Sequence, residues 1–381
     1  MAAMRAKQGN VIPGVDVLCW LGDYWDEPTH LQLLPAGDAV LEASGEDYNH
    51  GGGGVHLFRV GKADDIRALH DDETEYDEEL QFQNCISVTT TPDGTTAIGL
   101  LEYEGGEDAD DDDDESRRWA LVAWRLPAGK VRWCRPLPDT ASEGLFGNLD
   151  ETLLVSADGK RVAVAGGPAK AVFIVKVDTG EIEQRLATRD DAVAVCHFDA
   201  TEVVALDETG HLDVLPIGKG KPQPLQQLPH VVKNLVRVRA EKGRFAVAVA
   251  EGKGEATAAV WAKRDGAWAA TSAAVPVTAA TFIGMALTPD GEIVTLRREE
   301  KTRLVWQCGQ LTRALDVDPD FSFAFLAAGG ETVLVLGLLG KDHGEAMAKV
   351  AQAMFGAELS DGELYADDKG VFSWRPRDGD A

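Results

Sequence analysis

This chain of 381 residues has few cysteines, few positive charges and no long apolar run. The cysteines are Cys19, Cys85, Cys134, Cys196 and Cys308. Each stands alone inside an apolar stretch with no Cys-x-x-Cys pair, so the sequence signals neither a zinc site nor a disulfide framework. We therefore expect reduced core thiols and a cytoplasmic protein.

The apolar runs are too short to cross a membrane. The longest, TVLVLGLLG from Thr332, has nine residues, whereas a membrane-spanning helix needs about 20. The first residues, MAAMRAKQGNVIPG, contain no apolar stretch of signal-peptide length. We expect no membrane association.

Positive charge is scarce. The chain has 64 aspartates and glutamates against 37 lysines and arginines, a net charge of -27. Such a surface repels nucleic acid and lacks the basic footprint that phosphate binding needs. We therefore expect no nucleic-acid partner, and a protein partner with a basic or mixed surface.

Motifs of catalysis and cofactor binding are also missing. The tetraglycine Gly51–Gly54 lacks the Lys-Ser/Thr of a phosphate loop, and GKGK from Gly218 has no helix after it. His197 is adjacent to Cys196, but neighbouring residues on a strand point to opposite faces and cannot form a catalytic dyad. We expect no catalytic residue, no cofactor and a structural role for His197.

A metal site is the one weak alternative in the loops. His50 and His56 flank the tetraglycine and could bind a metal together with Asp47. Two loop imidazoles without a fixed third ligand do not define a site, so no metal is predicted.

A short polar turn recurs seven times, and each copy has an apolar, β-rich run on both sides. The copies are LLPAGDAVLEAS from Leu33, TTTPDGTTAIGLL from Thr89, LVSADGKRVAVAG from Leu154, HFDATEVVALD from His197, VRAEKGRFAVAVA from Val238, ALTPDGEIVTLRR from Ala286 and FLAAGGETVLVLG from Phe325. The turns lie roughly 40 to 65 residues apart, a period typical of one four-stranded unit per repeat. The sequence therefore predicts a β-propeller.

The last repeat is incomplete. Trp124 precedes Gly129 by five residues in one repeat, and Trp374 precedes Gly379 by the same spacing, but no fourth strand follows Gly379. The unassigned apolar run Val15–Gly22 would supply the missing outer strand of the last blade and close the ring. An isolated N-terminal edge strand is the alternative.

With these repeats the chain resembles WD-repeat and YVTN-type bacterial seven-bladed β-propellers. The best match is the pair VSADGKRVAVAG and VDTGEIEQRL around Ser156 and Asp178, although no repeat carries the Gly-His and Trp-Asp pair of a standard WD repeat. The resemblance implies one all-β domain over residues 1–381. Its predicted parts are a closing strand at 15–22 and blades at 31–69, 86–137, 151–187, 192–228, 234–273, 281–316 and 322–375, the last with a helical insertion at 338–369.

Two acidic runs stand out, DDETEYDEE from Asp71 and EDADDDDDE from Glu107. In a meander of four antiparallel strands, the loop between the second and third strands and the link to the next blade leave on the same face. Both runs would then share one face with the loop Ser44–Gly54 and with the insertion of blade 7. We predict a partner-binding sector over blades 7, 1 and 2, although solvated loop tips would show the same composition. Its residues are Asp47, Tyr48, Asp71, Asp72, Glu73, Glu75, Asp77, Glu78, Glu79, Met347, Val350 and Met354.

One segment of the blade 7 insertion has helical periodicity. In HGEAMAKVAQAMFGAEL, Met347, Val350 and Met354 fall on one face, and Gly356 is a plausible C-terminal stop. That face either packs on the propeller or docks a partner. The pattern leaves both open.

The predicted function is a noncatalytic protein-interaction platform. A calcium-dependent propeller hydrolase is one alternative, and it would need carboxylates that converge from several inner strands. A regulatory or sensor subunit of a prokaryotic signalling or defence assembly is another.

Overall fold

The structure is a computed structural model. It describes residues 2–5, 15–22, 28–36, 38–44, 54–59, 66–70, 82–104, 117–140, 152–228, 237–241, 243–250, 255–270, 275–278, 282–287, 293–299, 303–308, 311–316, 323–328, 332–339, 362–366 and 372–376. Within these ranges the regular elements are β-strands, and no helix among them could cross a membrane. The predicted helix that carries Met347, Val350 and Met354 lies outside the described residues.

The strands follow one another at short intervals along the chain. In chain order they are β1 (Ala2–Arg5), β2 (Val15–Gly22), β3 (Pro28–Leu33), β4 (Ala39–Ser44), β5 (Val55–Arg59), β6 (Ile66–His70), β7 (Phe82–Thr90), β8 (Thr96–Glu104), β9 (Arg117–Arg125), β10 (Lys130–Pro136), β11 (Leu153–Val155), β12 (Arg161–Ala165), β13 (Ala171–Lys176), β14 (Ile182–Ala187), β15 (Ala192–Phe198) and β16 (Glu202–Asp207). They continue as β17 (His211–Pro216), β18 (Gln223–Gln227), β19 (Arg237–Glu241), β20 (Arg244–Ala250), β21 (Glu255–Arg264), β22 (Ala267–Ala270), β23 (Val275–Thr278), β24 (Phe282–Leu287), β25 (Ile293–Glu299), β26 (Arg303–Cys308), β27 (Leu311–Asp316), β28 (Phe323–Ala328), β29 (Thr332–Leu339), β30 (Gly362–Ala366) and β31 (Phe372–Pro376).

Consecutive strands pair as antiparallel meanders. Sheet 1 contains β3 to β6, sheet 2 β7 to β10, sheet 3 β11 to β14 and sheet 4 β15 to β18. Sheet 5 contains β19 to β22 with β23 paired to β21, sheet 6 contains β24 to β27, and sheet 7 has the order β1-β2-β29-β28. A succession of four-stranded antiparallel sheets fits a β-propeller.

The recurring turn is held by its own polar side chains. In sheet 2, Asp93 Oδ1 accepts hydrogen bonds from the Thr91 hydroxyl at 2.6 Å and the Thr95 amide at 3.0 Å. In sheet 3, Asp158 Oδ1 accepts from the Ser156 hydroxyl at 2.7 Å in the same way. The hydrogen bonds from Thr91 and Thr95 lower the pKa of Asp93, with burial opposing them. In these two sheets the turn aspartate therefore fixes the bend between the first two strands.

The core lies in layers between neighbouring sheets. Strand β9 shows this most clearly, because alternate residues enter two different layers. Trp119 and Leu121 pack in the layer shared with sheet 3, while Val122 and Trp124 pack in the layer shared with sheet 1. Both tryptophans are among the largest fully buried side chains of the described residues. Sheet 2 therefore buries both of its faces, and sheets 3 and 4 do the same.

One edge strand of each sheet contacts the corresponding edge strand of the next sheet. Strand β3 contacts β7, which contacts β11; the series continues through β15, β19, β24 and β28, and β28 contacts β3. This series of edge-strand contacts begins and ends at β3.

The N-terminal strands pair within sheet 7. Strand β2 lies beside β29 in parallel register, Val15 opposite Thr332 and Gly22 opposite Leu339, and β1 pairs with β2 on the outside. This differs from the expected arrangement, in which Val15–Gly22 is the outermost strand. Strand β31, which contains Trp374, pairs with β30 in a separate two-stranded sheet. With β31 elsewhere, the third position of sheet 7 is open to β2, and the hairpin with β1 adds the fourth strand.

Removing the N-terminal strands should destabilise the protein. Deletion of residues 1–22 removes β1 and β2 and leaves the β29 edge unpaired, so we expect a large fall in melting temperature or aggregation. Deletion of residues 1–12 removes β1 alone and should have a smaller effect. Thermal melting and size-exclusion chromatography measure both, and a 1–22 deletion that melts like the full chain would contradict the strand order of sheet 7.

A glycine joins sheets 2 and 3. Gly180 has φ +70°, and a Cβ at that position would lie 2.7 Å from Trp133, whose Nε1 donates to the Val177 carbonyl oxygen at 2.8 Å. Gly266 occupies the corresponding turn of sheet 5 with φ +81° and open space around a Cβ. Gly180→Ala should therefore cost about 1 to 3 kcal/mol more in unfolding free energy than Gly266→Ala. Urea denaturation of both variants separates this packing term from the backbone strain they share.

Candidate functional site

The predicted partner-binding residues fall in three segments outside the described residues. Segment 45–53 contains Asp47 and Tyr48, segment 71–81 contains the seven acidic positions, and segment 340–361 contains the helix residues. The structure does describe the strand ends from which these segments leave.

Three of the loop-bearing segments leave from one end of sheets 1 and 2, which we call the loop end. In sheet 1, Ser44 ends β4, Val55 begins β5, and His70 pairs with Val55. In sheet 2, Phe82 pairs with Tyr103, next to the pair Glu104 and Arg117. Segments 45–53, 71–81 and 105–116 are therefore attached at corresponding ends of the two sheets.

An aromatic series connects the two sheets at the loop end. The rings of His70 and Phe82 meet edge-on with centroids 5.7 Å apart, and Phe82 meets Tyr103 edge-on at 5.9 Å. His70 and Tyr103 are buried. Edge-to-face geometry of this kind stabilises ring pairs beyond their apolar burial. The flanks of segments 71–81 and 105–116 are thus held by a rigid, largely dry contact.

Two buried carboxylates lie beneath this contact. Glu42 is fully buried, and its Oε2 lies 3.1 Å from His56 Nδ1 on the neighbouring strand. Glu102 is 2% exposed and accepts a hydrogen bond from Asn84 Nδ2 at 2.9 Å. Burial raises the pKa of the nearby Cys85 thiol, with the Glu42 charge as a further cause. Cys85 is therefore an inert thiol rather than a nucleophile.

A groove opens beside the loop end, between sheets 2 and 3. It has a volume of about 690 Å³ and is lined by Tyr103, Arg118, Pro136, Leu137, Pro138, Asp139, Thr140 and Ile182. Burial raises the pKa of Tyr103, with the charge of Arg118 opposing it. The carboxylate of the groove belongs to Asp139. Asp139 Oδ2 lies 2.5 Å from Arg185 Nη1, so the charge of Asp139 is already paired.

A polar cluster connects sheets 4 and 5. His197 Nε2 lies 3.2 Å from Asp199 Oδ2, and the His197 ring meets the Trp268 ring edge-on at 4.8 Å. Trp268 Nε1 donates to Glu202 Oε1 at 2.6 Å. Ligand atoms of His197, Asp199 and Glu202 lie within 4.8 Å of one another, the spacing of a metal site. His197 is buried.

A lysine already supplies the positive charge of this cluster. Lys263 Nζ lies 2.9 Å from Glu202 Oε1 and 3.4 Å from Asp199 Oδ2. A divalent ion between these carboxylates would have to displace the ammonium group. The cluster connects sheets 4 and 5 through these charges.

Hydrogen bonding within the cluster shifts both charges in the stabilising direction. Burial would raise the pKa of Asp199, but donors from Thr201, His197 and the Glu202 amide outweigh burial and hold that pKa well below its usual range. Burial likewise would lower the pKa of Lys263, but Glu202 and Asp199 raise it above the usual value. Both groups stay charged at neutral pH.

The chain is similar in fold to several solved structures of low sequence identity. The RRP9 WD40 repeats match with a TM-score of 0.40 and 12% identity over 72% of this chain and 88% of theirs. Hydrazine synthase of Kuenenia stuttgartiensis matches with a TM-score of 0.43 and 13% identity over 78% and 80% of the two chains. KlHsv2 with its loop 6CD replaced by a Gly-Ser linker matches with a TM-score of 0.46 and 11% identity over 92% and 97%.

No family model and no curated protein matches the chain. These similarities concern the fold alone.

Sequence reasoning missed the polar groups at the strand ends. Glu42 and Glu102 stand in apolar runs, and an isolated glutamate there gives no signal of full burial. Lys263 and Asp199 are 64 positions apart, so their contact is visible only once the sheets are assembled. The repeated turn is the one available sign that Asp199 has a structural role.

Removing the Lys263 charge should destabilise the join between sheets 4 and 5. Lys263→Met leaves Asp199 and Glu202 facing each other without a counter-charge, and we expect a loss of about 1 to 2 kcal/mol after allowance for solvent screening. The lowered pKa of Asp199 contributes stability above the ordinary value of 3.8, which is lost as pH falls below it. The raised pKa of Lys263 contributes stability below the ordinary value of 10.5, which is lost as pH rises above it. The loss of unfolding free energy caused by Lys263→Met should thus be largest between about pH 5 and 9.

The matched control is Lys176→Met. Lys176 pairs with Glu181 at 2.6 Å on the exposed outer part of sheet 3, and screening makes such a pair worth little. Its melting temperature should stay that of the wild type. Chemical denaturation of both variants across pH checks the prediction, and equal losses at Lys176 and Lys263 would contradict it.

Proposed function

We propose that this protein is a noncatalytic protein-interaction platform. The partner is another protein with a basic or mixed surface, and it binds the acidic face over the blades formed by sheets 7, 1 and 2. The residues proposed for contact are those of segments 45–53, 71–81 and 340–361 named from the sequence. Cys85 and Cys196 are buried, which is consistent with the reducing cytoplasm in which we place the protein.

The proposed scaffold is a seven-bladed propeller closed by the N-terminal strands. The contact of β28 with β3 and the pairing of β2 with β29 support it. The contact of β1 with β5 of sheet 1 also supports it, because it carries the N-terminal hairpin across to the neighbouring sheet. Closure removes free sheet edges and so provides a rigid support for loops.

The observation that carries the functional proposal is the common attachment of the acidic segments. Segment 71–81 has seven carboxylates and segment 105–116 has eight, and neither contains a lysine or arginine. Their flanks meet in the His70, Phe82 and Tyr103 contact. Segments 71–81 and 105–116 together carry fifteen negative charges on a common base, and the fields of these like charges add at one sector of the surface. Such a field attracts a basic protein surface and speeds its encounter.

The described polar groups support a binding role over an enzymatic one. A calcium-dependent hydrolase needs carboxylates free to hold the ion. Among the described residues the cluster with metal-site spacing is His197, Asp199 and Glu202, whose charge Lys263 neutralises. A regulatory or sensor subunit of a larger assembly remains compatible with the platform and differs only in the partner.

Neutralising the acidic sector should slow partner association. The variant Asp71→Asn, Glu78→Gln and Glu79→Gln removes three charges without changing side-chain size, and the association rate of the copurifying partner should fall several-fold at physiological salt. The wild-type rate should fall toward that of the variant as ionic strength rises, because screening removes the same attraction. Surface plasmon resonance with wild type and variant measures both effects.

A matched control changes the same residue types on sheet 3. Asp178→Asn, Glu181→Gln and Glu183→Gln alter exposed carboxylates by the same net charge. Association should then stay within about twofold of the wild type, since these charges lie away from the sector. Equal slowing by both variants would mean that net charge alone, and not the sector, steers the partner.

A further inference from the structure

The outer hairpin of sheet 2 is positively charged, unlike the chain as a whole. Residues 117–140 contain six lysines and arginines and one carboxylate, Asp139, whereas the whole chain is at -27. Asp139 pairs with Arg185 of sheet 3 and is not available to its own hairpin. The hairpin therefore presents unbalanced positive charge on an otherwise acidic protein.

Three of these cations, Arg125, Lys130 and Arg132, lie at the turn of this hairpin, and Arg67 of sheet 1 contacts the same turn. We call these four residues the basic cluster. Arg125 pairs directly with Lys130 on one side and with Thr96 on the other. Residues directly opposite on neighbouring strands project from the same face, so two positive side chains lie side by side. Like charges in that position cost stability, and no described acidic residue offsets the cost.

The remaining two cations are held by neutral oxygen atoms. Arg132 Nη1 donates to the Thr96 hydroxyl at 2.9 Å, and Arg67 Nη1 donates to the carbonyl oxygen of Ala128 in the hairpin turn at 2.9 Å. These bonds orient both guanidinium groups and leave their charge uncompensated. Among the described ion pairs none involves the basic cluster, although nearby Arg59 of sheet 1 pairs with Asp38.

An apolar side chain and a sheet edge accompany the basic cluster. Val131, between Lys130 and Arg132, is 40% exposed and is the exposed large hydrophobic residue of the described part. Strand β10 is also the outermost strand of sheet 2, and in the described chain no further strand pairs with its outer edge. Val131 lies opposite Trp124 and so projects from the other face of the sheet than Lys130 and Arg125. An extended peptide paired along the outer edge of β10 presents alternate side chains to both faces, and could therefore meet the charges on one face, Val131 on the other and the backbone hydrogen-bonding groups between them.

We propose that the basic cluster is a docking site for an acidic segment of another polypeptide, one that also carries an apolar residue. Carboxylates of that segment pair with Arg125, Lys130 and Arg132, and the apolar residue contacts Val131. A peptide is favoured over nucleic acid because a peptide can offer an aliphatic side chain to Val131 and a backbone to the open edge of β10, whereas a sugar-phosphate backbone offers neither. This surface is separate from the acidic sector of the proposed function and does not depend on it.

Segment 105–116, the acidic run attached to the same strand pair, is short for this site. Segment 105–116 is anchored at Glu104 and Arg117, and β9 carries the chain from Arg117 to Arg125 over eight residue steps, about 26 Å. The middle of a twelve-residue segment reaches about 20 to 23 Å from its anchors with the backbone fully stretched. The chain's own acidic run would have to be fully extended to approach Arg125.

The test is binding of a labelled synthetic peptide of six glutamates and two leucines, measured by fluorescence anisotropy. The variant Arg125→Gln, Lys130→Gln and Arg132→Gln should weaken binding about tenfold. Each exposed charge pair contributes only part of that factor, and the variant removes three pairs. Val131→Ser should weaken binding severalfold, and raising the salt should weaken wild-type binding. Circular dichroism and melting confirm that the variants fold. A triple variant that folds and binds the peptide as wild type does overturns the proposal.

The control variant removes three exposed lysines elsewhere, Lys160→Gln, Lys219→Gln and Lys221→Gln, for the same change in net charge. An equal loss of binding in this control overturns the proposal. So does a hexathymidylate oligonucleotide or a phosphatidylserine vesicle that binds as tightly as the peptide, because the site would then recognise phosphate. Tighter peptide binding after excision of residues 108–114 would make the chain's own run the occupant. Self-association of the wild type that the triple variant abolishes would make a second copy the occupant, and either result overturns the proposal.

Discussion

Burial of both faces of sheets 2, 3 and 4 is the constraint on which the rest of the described structure depends. Strand β9 illustrates it, because Trp119 and Leu121 fill one layer while Val122 and Trp124 fill the next. A strand in this position has no solvent-facing side to carry polar chemistry. Charged and hydrogen-bonding groups are therefore confined to strand ends, turns and outermost strands, and those are the places where binding surfaces can form.

The few polar groups that do enter the layers act as joins. Glu102 with Asn84, and Glu202 with Lys263 and Trp268, satisfy one another across strands or sheets. A buried carboxylate without such partners would cost several kcal/mol, so each join requires its neighbours to be in register. Specific register therefore positions the strand ends at the loop end.

The recurrent turn made the all-β class and the succession of sheets predictable from the sequence, because its aspartate chemistry is local. The Thr91 and Asp93 contact spans two residues and needs no partner from elsewhere. The parallel pairing of Val15 with Thr332 was not predictable, since the hydrophobic pattern of a strand does not state its direction. The basic cluster was visible in residues 117–140, but the net charge of the whole chain concealed it.

The hairpin of β8 and β9 carries opposite charges at its two ends. Its acidic connection begins at Glu104, and Arg125 lies at the other end, about 26 Å from Arg117 along β9. Screening limits the reach of exposed charges to about 8 Å at physiological salt. The two ends are thus electrostatically independent in the cell, although one strand pair supports both. A basic partner at the loop end and an acidic peptide at the turn end would neither compete nor attract each other, so a single blade could hold two partners of opposite charge at once.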